Sequence, residues 1–289
     1  MASCTLRINQ MWGRVIGRIL CRYNSESRQV ALRNLEIAYP TASPEKLQQL
    51  LREHMLEVGK TIAEFGPVWL WSRRRLSQLV RETDGEELLA EAVSRGNGVI
   101  ILSPHLGCWE FVGLYLSMNH PMTSMYRPPR LVALDNMMRS LRQRFGAKLV
   151  PADLSGVAGL RRALKNNEYV GMLPDQHPGA NGGVEVPFFG YTTRTMVLVS
   201  KLAARSGATV IFSVAERLPD GRGFRLRFRL ASDLIAASDD TVAARALNEG
   251  VEECIRWCPS QYQWSYDRFR LRQTLRNSDS PTAPEQRAA

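Results

Sequence analysis

The segment Gly98-Val99-Ile100-Ile101-Leu102-Ser103-Pro104-His105-Leu106-Gly107-Cys108-Trp109-Glu110 joins an unbroken apolar run to a histidine, a glycine and a carboxylate. A strand with one wet face alternates in polarity, so four consecutive apolar side chains bounded by glycine and serine read as a strand buried on both faces. Residues 109–118 then read as helical. A buried strand passing at once into a helix is the repeating unit of an α/β sheet. His105 falls directly after the strand, and open α/β sheets place their ligands beyond the carboxyl ends of their strands.

The alternation extends in both directions. Upstream, Ser43-Pro44-Glu45 supplies a capping side chain and a proline at the first helical position, starting a helix to about residue 65. A further helix is expected over 86–95, stopped by Gly96. Downstream, strands are expected over 122–126, 148–151, 169–173 and 209–215. Residues 224–230 alternate apolar and basic side chains, as a half-exposed strand does. Helices are expected over 134–144, 155–166, 195–205 and 241–257. The pattern predicts a single-domain α/β fold, with a central, mostly buried mixed sheet flanked by helices. The main domain is expected over 25–276, with a polar, disordered tail over 277–289.

Residues 1–24 form a unit of their own. Ile8, Met11, Trp12, Val15, Ile16, Ile19 and Leu20 recur at helical spacing, while Arg7, Arg14, Arg18 and Arg22 fall off that stripe. This is the pattern of a basic amphipathic helix lying on a membrane surface. A helix packed on the core with solvated arginines shares it, and the excess of arginine favours membrane contact.

Composition narrows the function classes. The 289 residues are 44% hydrophobic and 23% charged, which excludes collagen-like, disordered and disulfide-framework chains. The 38 Lys+Arg against 28 Asp+Glu give a net charge of +10, suited to an anionic partner. The five cysteines are odd in number and form no CxxC pair, so free thiols in a reducing compartment are expected. No run of 18 uncharged apolar residues occurs, and arginines interrupt every signal-peptide-like region. The cytosol or a cytosolic membrane face is the expected location.

Of the four histidines, His54 reads as a surface helix residue beside Glu53, and His120, before a proline, as structural. His105 can turn toward Glu110 on the next helix. A carboxylate there would fix the imidazole tautomer and leave the second ring nitrogen as a general base. On spacing alone that pair is a weak signal. The Tyr126-Arg127-Pro128-Pro129-Arg130 cluster puts an arginine at a strand end, able to grip a phosphate or to sit solvated in a loop. Asp175 occupies a polar turn, Pro174-Asp175-Gln176-His177-Pro178-Gly179. The later Val186-Pro187-Phe188-Phe189-Gly190 shelf suits a hydrocarbon chain or plain packing. Ser103 lies in no G-x-S-x-G elbow, so it makes a poor nucleophile. His105, Cys108 and Glu110 lack a further ligand for a metal.

Taken together, these blocks resemble the lipid A late acyltransferase family of the lauroyl/myristoyl type, within the glycerolipid acyltransferase superfamily. His105-Leu106-Gly107-Cys108-Trp109-Glu110 matches its H-x4-[D/E] motif, Met125-Tyr126-Arg127-Pro128 its second block, and Asp175-Gln176 with 186–190 its later blocks. The stretches 28–35 with Tyr39-Pro40, and 261–269, also fit, so the likeness spans roughly 10–272. It implies an acyltransferase domain that moves a fatty acyl group from acyl carrier protein, or from acyl-CoA, to a hydroxyl of an anionic glycolipid. His105 and Glu110 would be catalytic. Arg127, Asp175, Tyr126, Phe188 and Phe189 would bind substrate, with Phe188 and Phe189 along the acyl channel. No metal or organic cofactor and no nucleic acid is implied; the partners are donor, glycolipid and the inner membrane's cytoplasmic face.

Three features depart from the family pattern. An amphipathic segment stands where relatives commonly carry a membrane-spanning helix. Pro129-Arg130-Leu131 follows Arg127-Pro128 in place of an asparagine and an acidic residue. Trp264-Ser265-Tyr266-Asp267-Arg268 replaces the usual Trp-x-His-x-Arg. A thioesterase or lipid hydrolase could use the same His105–Glu110 pair with water as acceptor, and another lysolipid could replace the glycolipid. A non-catalytic membrane or nucleic-acid binder would leave the strand-end histidine unexplained.

Overall fold

The computed structural model describes residues 4–128, 132–179 and 182–270. The expected tail over 277–289 and the Pro129-Arg130-Leu131 departure lie outside the described residues. The helices are α1 (Leu6–Arg22), α2 (Glu26–Ala38), α3 (Pro44–Leu70), α4 (Arg73–Ser77), α5 (Glu87–Ser94), α6 (Trp109–Asn119), α7 (Val132–Gln143), α8 (Leu154–Lys165), α9 (Leu198–Ser206) and α10 (Asp240–Trp257). The strands are β1 (Val80–Asp84), β2 (Val99–Leu102), β3 (Met122–Tyr126), β4 (Lys148–Pro151), β5 (Tyr169–Met172), β6 (Val184–Phe188), β7 (Tyr191–Thr195), β8 (Thr209–Arg217) and β9 (Phe224–Leu230).

Seven strands form one sheet in the order β1-β9-β8-β2-β5-β3-β4, while β6 and β7 make a separate antiparallel ribbon. Every neighbouring pair in the large sheet is parallel except β8–β9. The sheet is therefore mixed, as expected, and β2 lies at its centre with all four residues fully buried. Ile100 and Leu102 face a core shared with Leu160, Val199, Leu202 and Leu247 of the helices on that side. Val99 and Ile101 face the opposite core, with Leu89, Phe111 and Leu114. Two covered faces explain the unbroken apolar run.

Helix α3 runs five residues beyond the expected end, through Pro67. His54 is 1% exposed, so the expectation of a surface histidine is corrected. Leu51, His54 and Met55 share the inward face of α3, and Arg52 and Glu53 take the wet one. His120 fits its structural reading: its Nε2 lies 3.1 Å from the Asn167 carbonyl oxygen.

Helix α1 is present as expected, capped by Thr5. Its buried face consists of Leu6, Asn9, Gln10, Gly13 and Gly17. Gly13 and Gly17 bring its backbone onto α3 so closely that a Cβ on either would stand 2.6 Å from Lys60 Cα or 2.5 Å from the Met55 carbonyl oxygen. Ile8, Met11, Trp12, Val15 and Ile19 are left exposed on the outer face. Among the described residues, no helix is long and apolar enough to cross a membrane.

Candidate active site

The chain turns sharply after β2. Gly107 adopts φ +60°, and a Cβ there would stand 2.1 Å from the Ala215 carbonyl oxygen, so only glycine fits without displacement. That carbonyl accepts from the Cys108 N–H at 2.9 Å, while the Gly107 N–H donates to Gln261 O. On the other side the Gln263 N–H donates to the His105 carbonyl at 3.0 Å. Residues 105–108 are thus clamped between the end of β8 and the 261–263 segment, which fixes the direction of the His105 side chain.

The partner of His105 comes from the neighbouring strand. β2 and β5 run parallel with Leu102 opposite Met172, so residues three places beyond each strand end arrive side by side. These are His105 and Asp175. The ring Nδ1 lies 2.8 Å from Asp175 Oδ1, and the His105 backbone N–H donates to Asp175 Oδ2 at 2.9 Å. Asp175 is fully enclosed. Burial alone would push its carboxyl up, but the His105 ring and backbone N–H outweigh this and hold it below the usual carboxylate range. The other ring nitrogen, Nε2, lies 3.2 Å from the Gln176 side-chain nitrogen, which donates to it when Nδ1 carries the ring proton. The Trp109 ring packs 5.2 Å from the imidazole, centroid to centroid.

Glu110 does not turn back to His105, contrary to the expectation from spacing. It sits in the first turn of α6, and both its carboxylate oxygens are taken by Arg142 of α7, one of them at 2.9 Å from Nε. The Trp69 indole N–H adds a third bond. Burial works against the Arg142 charge, and the Glu110 pair more than restores it. Cys108 is buried, and burial pushes its thiol far up, so it stays protonated.

Beside the imidazole opens a largely apolar cavity of about 310 Å³. Its wall includes Ile101, Val112, Met122, Leu149 and Met172, and its mouth Glu110, Arg142 and Gln176. Tyr126 lines it from beneath Arg142, whose guanidinium lies 5.2 Å from the ring centroid. Arg127 is exposed at the rim. The structure therefore gathers Glu110, Tyr126 and Arg127 around one cavity, and His105 adjoins it through Trp109 and Gln176, with Asp175 behind the ring. It does not bring Phe188 and Phe189 there. Phe188 is buried against Phe269, and Phe189 packs on Tyr39 and Trp264, so these rings serve a separate aromatic core. Sequence reasoning missed Gln176 as the neighbour of Nε2, Arg142 as the partner of Glu110, and Trp109 as a wall of the site.

A strand-end imidazole held by a buried carboxylate, beside side chains that line an apolar cavity, is an arrangement able to accept a proton. Residues 6–271 match the family described as bacterial lipid A biosynthesis acyltransferase, and the chain belongs to that family. It is 28% identical to the lipid A biosynthesis lauroyltransferase of Escherichia coli K12 over 259 residues, 89% of this chain and 83% of that protein. It is equally 28% identical to the palmitoleoyltransferase of the same organism over 265 residues, 90% of this chain and 84% of that protein. The myristoyltransferase of that organism is 25% identical over 255 residues, 86% of this chain and 77% of that protein. The protein is an acyltransferase.

Proposed function

We propose that the protein transfers a fatty acyl group from a thioester donor, acyl carrier protein or coenzyme A, to a hydroxyl of a lipid A precursor. The observation that carries this reading is the Asp175–His105–Gln176 arrangement opening on an apolar cavity in a chain of this family. Asp175 holds the ring with Nδ1 protonated, and the acceptor hydroxyl replaces the Gln176 amide at Nε2. As the hydroxyl oxygen attacks the thioester carbonyl carbon, Nε2 takes its proton. The C–S bond then breaks, and the imidazolium returns the proton to the leaving thiolate. The products are an ester and a free thiol, with no covalent enzyme intermediate. Gln176, released from the ring, is a donor within reach of the oxyanion.

The donor's acyl tail occupies the 310 Å³ cavity, whose apolar walls exclude water. Glu110 acts through Arg142, holding the guanidinium at the cavity mouth. Arg127, exposed at the rim, meets a phosphate of the acceptor. The outer face of α1, with Trp12 and Met11 exposed beside Arg14 and Arg18, rests on the cytoplasmic leaflet of the inner membrane.

The test is an acyl-transfer assay with lauroyl–acyl carrier protein and lauroyl-CoA as donors and a lipid A precursor as acceptor. Wild-type protein forms the acylated product, and His105→Ala reduces kcat/KM by roughly 10³-fold or more. Turnover retained in that variant overturns the mechanism. Trp12→Glu weakens flotation with anionic vesicles while turnover of detergent-dispersed acceptor persists; unchanged flotation refutes the role of α1.

A further inference from the structure

Residues 28–35 and 261–269 supply no wall of the 310 Å³ cavity, yet they meet one another beside the site. The buried Asn34 amide of α2 donates to the carbonyls of Trp264 and Tyr266, at 2.7 Å each. The 261–266 segment carries that hold to both partners of the pair. On the His105 side, the Gln261 amide takes both main-chain groups of Arg217, the last residue of β8. Its Oε1 accepts from the Arg217 N–H at 2.8 Å, and its Nε2 donates to the Arg217 carbonyl at 3.1 Å. The Gln261 carbonyl in turn accepts from the Gly107 N–H at 3.1 Å. On the Asp175 side, the Tyr266 hydroxyl accepts from the His177 N–H at 3.1 Å.

The sheet alone does not set the distance between His105 and Asp175. Pairing of β2 with β5 ends at Leu102 and Met172, and a last ladder bond runs from the Ser103 N–H to the Met172 carbonyl. Beyond it the two turns touch through the site itself, His105 with Asp175 and Gln176. A contact between side chains on two turns keeps its geometry when a third element restrains both. Arg217 makes that element stiff. Its guanidinium is sealed, with Nε 2.8 Å from Glu64 and a terminal nitrogen 2.8 Å from the Thr61 hydroxyl of α3. A buried ion pair returns little net stability, because both charges lose their water, so orientation is the better account of what this one contributes.

We propose that Gln261 and Tyr266 are positioning residues for the acyl transfer. Gln261 ties the His105 turn to β8, Tyr266 ties the Asp175–Gln176 turn to the same segment, and together they hold the imidazole at bonding distance from its carboxylate. This rests on the acyl-transfer reading above and adds what keeps its base in register. Neither side chain lines the 310 Å³ cavity, so each acts through the turn it holds. Tyr266 stands at the histidine position of the Trp-x-His-x-Arg pattern, and in this chain a phenol carries the hold on the 174–178 turn.

The experiment compares Gln261→Met and Tyr266→Phe with the wild type, using lauroyl-CoA as donor and a lipid A precursor as acceptor. Each variant lowers kcat about tenfold and leaves both KM values within about twofold, because the groups that meet the substrates are untouched. Placed in Asp175→Asn, each costs less than about twofold more, since the carboxylate it positions is gone. The His105 ring gives a readout independent of turnover. Its Nδ1–H proton, assigned by its loss in His105→Ala, resonates at low field in the wild type and moves or broadens in both variants. A merely structural role lowers the unfolding midpoint and leaves kcat, measured well below it, at the wild-type value. Wild-type kcat in either variant overturns the role of that residue, and full additivity with Asp175→Asn overturns the mechanism for both. Tyr266→Phe deletes one hydroxyl at a half-buried position, so it keeps the test open even where Gln261→Met does not fold. Wild-type protein that transfers nothing, while the ring proton still moves in the variants, overturns the acyl-transfer reading and leaves the brace standing.

Discussion

His105 and His54 are 8% and 1% exposed, and both adjoin Trp109, one through its ring and one across a cavity. Their chemistry is opposite. His105 has a carboxylate on one nitrogen and an amide on the other. His54 has neither, and burial pushes its pKa down to about 4. Burial without an ionic partner holds the His54 ring neutral, whereas the His105 ring keeps a carboxylate beside it. The difference arises from topology: His105 stands at the end of a parallel strand pair that delivers Asp175, whereas His54 faces only the backbone of Ser260 and Tyr262 across from α3.

The most severe way to erase the contrast is Asp175→Asn, which removes the charge and disturbs the Nδ1–H tautomer. A loss of about 10³- to 10⁴-fold in kcat is expected, by analogy with other histidines deprived of their orienting carboxylate. A loss below about tenfold would return the orienting role to another group.

Glu110→Gln sharpens the comparison by asking which carboxylate serves the ring. Acting through Arg142, it should cost on the order of 10²-fold, with Arg142→Gln costing as much and the double variant little more. The pH profile should keep its shape. Additive losses, or an altered profile, would mean that Glu110 works on His105 directly.

His54 gives the smallest effect, and it appears in stability. At neutral pH both folded and unfolded chains carry it neutral. As pH falls below about 6.5 the unfolded chain binds a proton that the folded chain refuses until about pH 4. Stability is lost across that window, by about 3 kcal/mol in total. Denaturant titrations at several pH values should show that this loss shrinks in His54→Gln; an unchanged pH dependence would remove the distinction between the two rings.

Much of the fold was legible because the β2 segment encodes two covered faces, β5 and β8 are largely apolar, and β9 alternates apolar and basic residues. The β6–β7 ribbon was not, because its strands mix proline, threonine and arginine with aromatics and face a local aromatic core. At the site, His105 was legible from its place after β2. Asp175 was recognised as a site residue, but its pairing with His105 spans 70 positions of sequence and follows from strand register. The nearer Glu110 took its place in the local reading. For His54 a signal existed: it falls on the same helical face as Leu47, Leu51 and Met55, which its charged neighbours obscured.

The glycine contact between α1 and α3 has a mechanical consequence. Where main chain rests on main chain, with Gly13, Gly17 and Gly59 leaving no side chain between, there is no lever to absorb a tilt. A surface that gripped the outside of α1 would therefore hold α3 at a fixed height as well, as a keel fixes the draught of a hull. A single methyl group added at that seam would force the two helices apart.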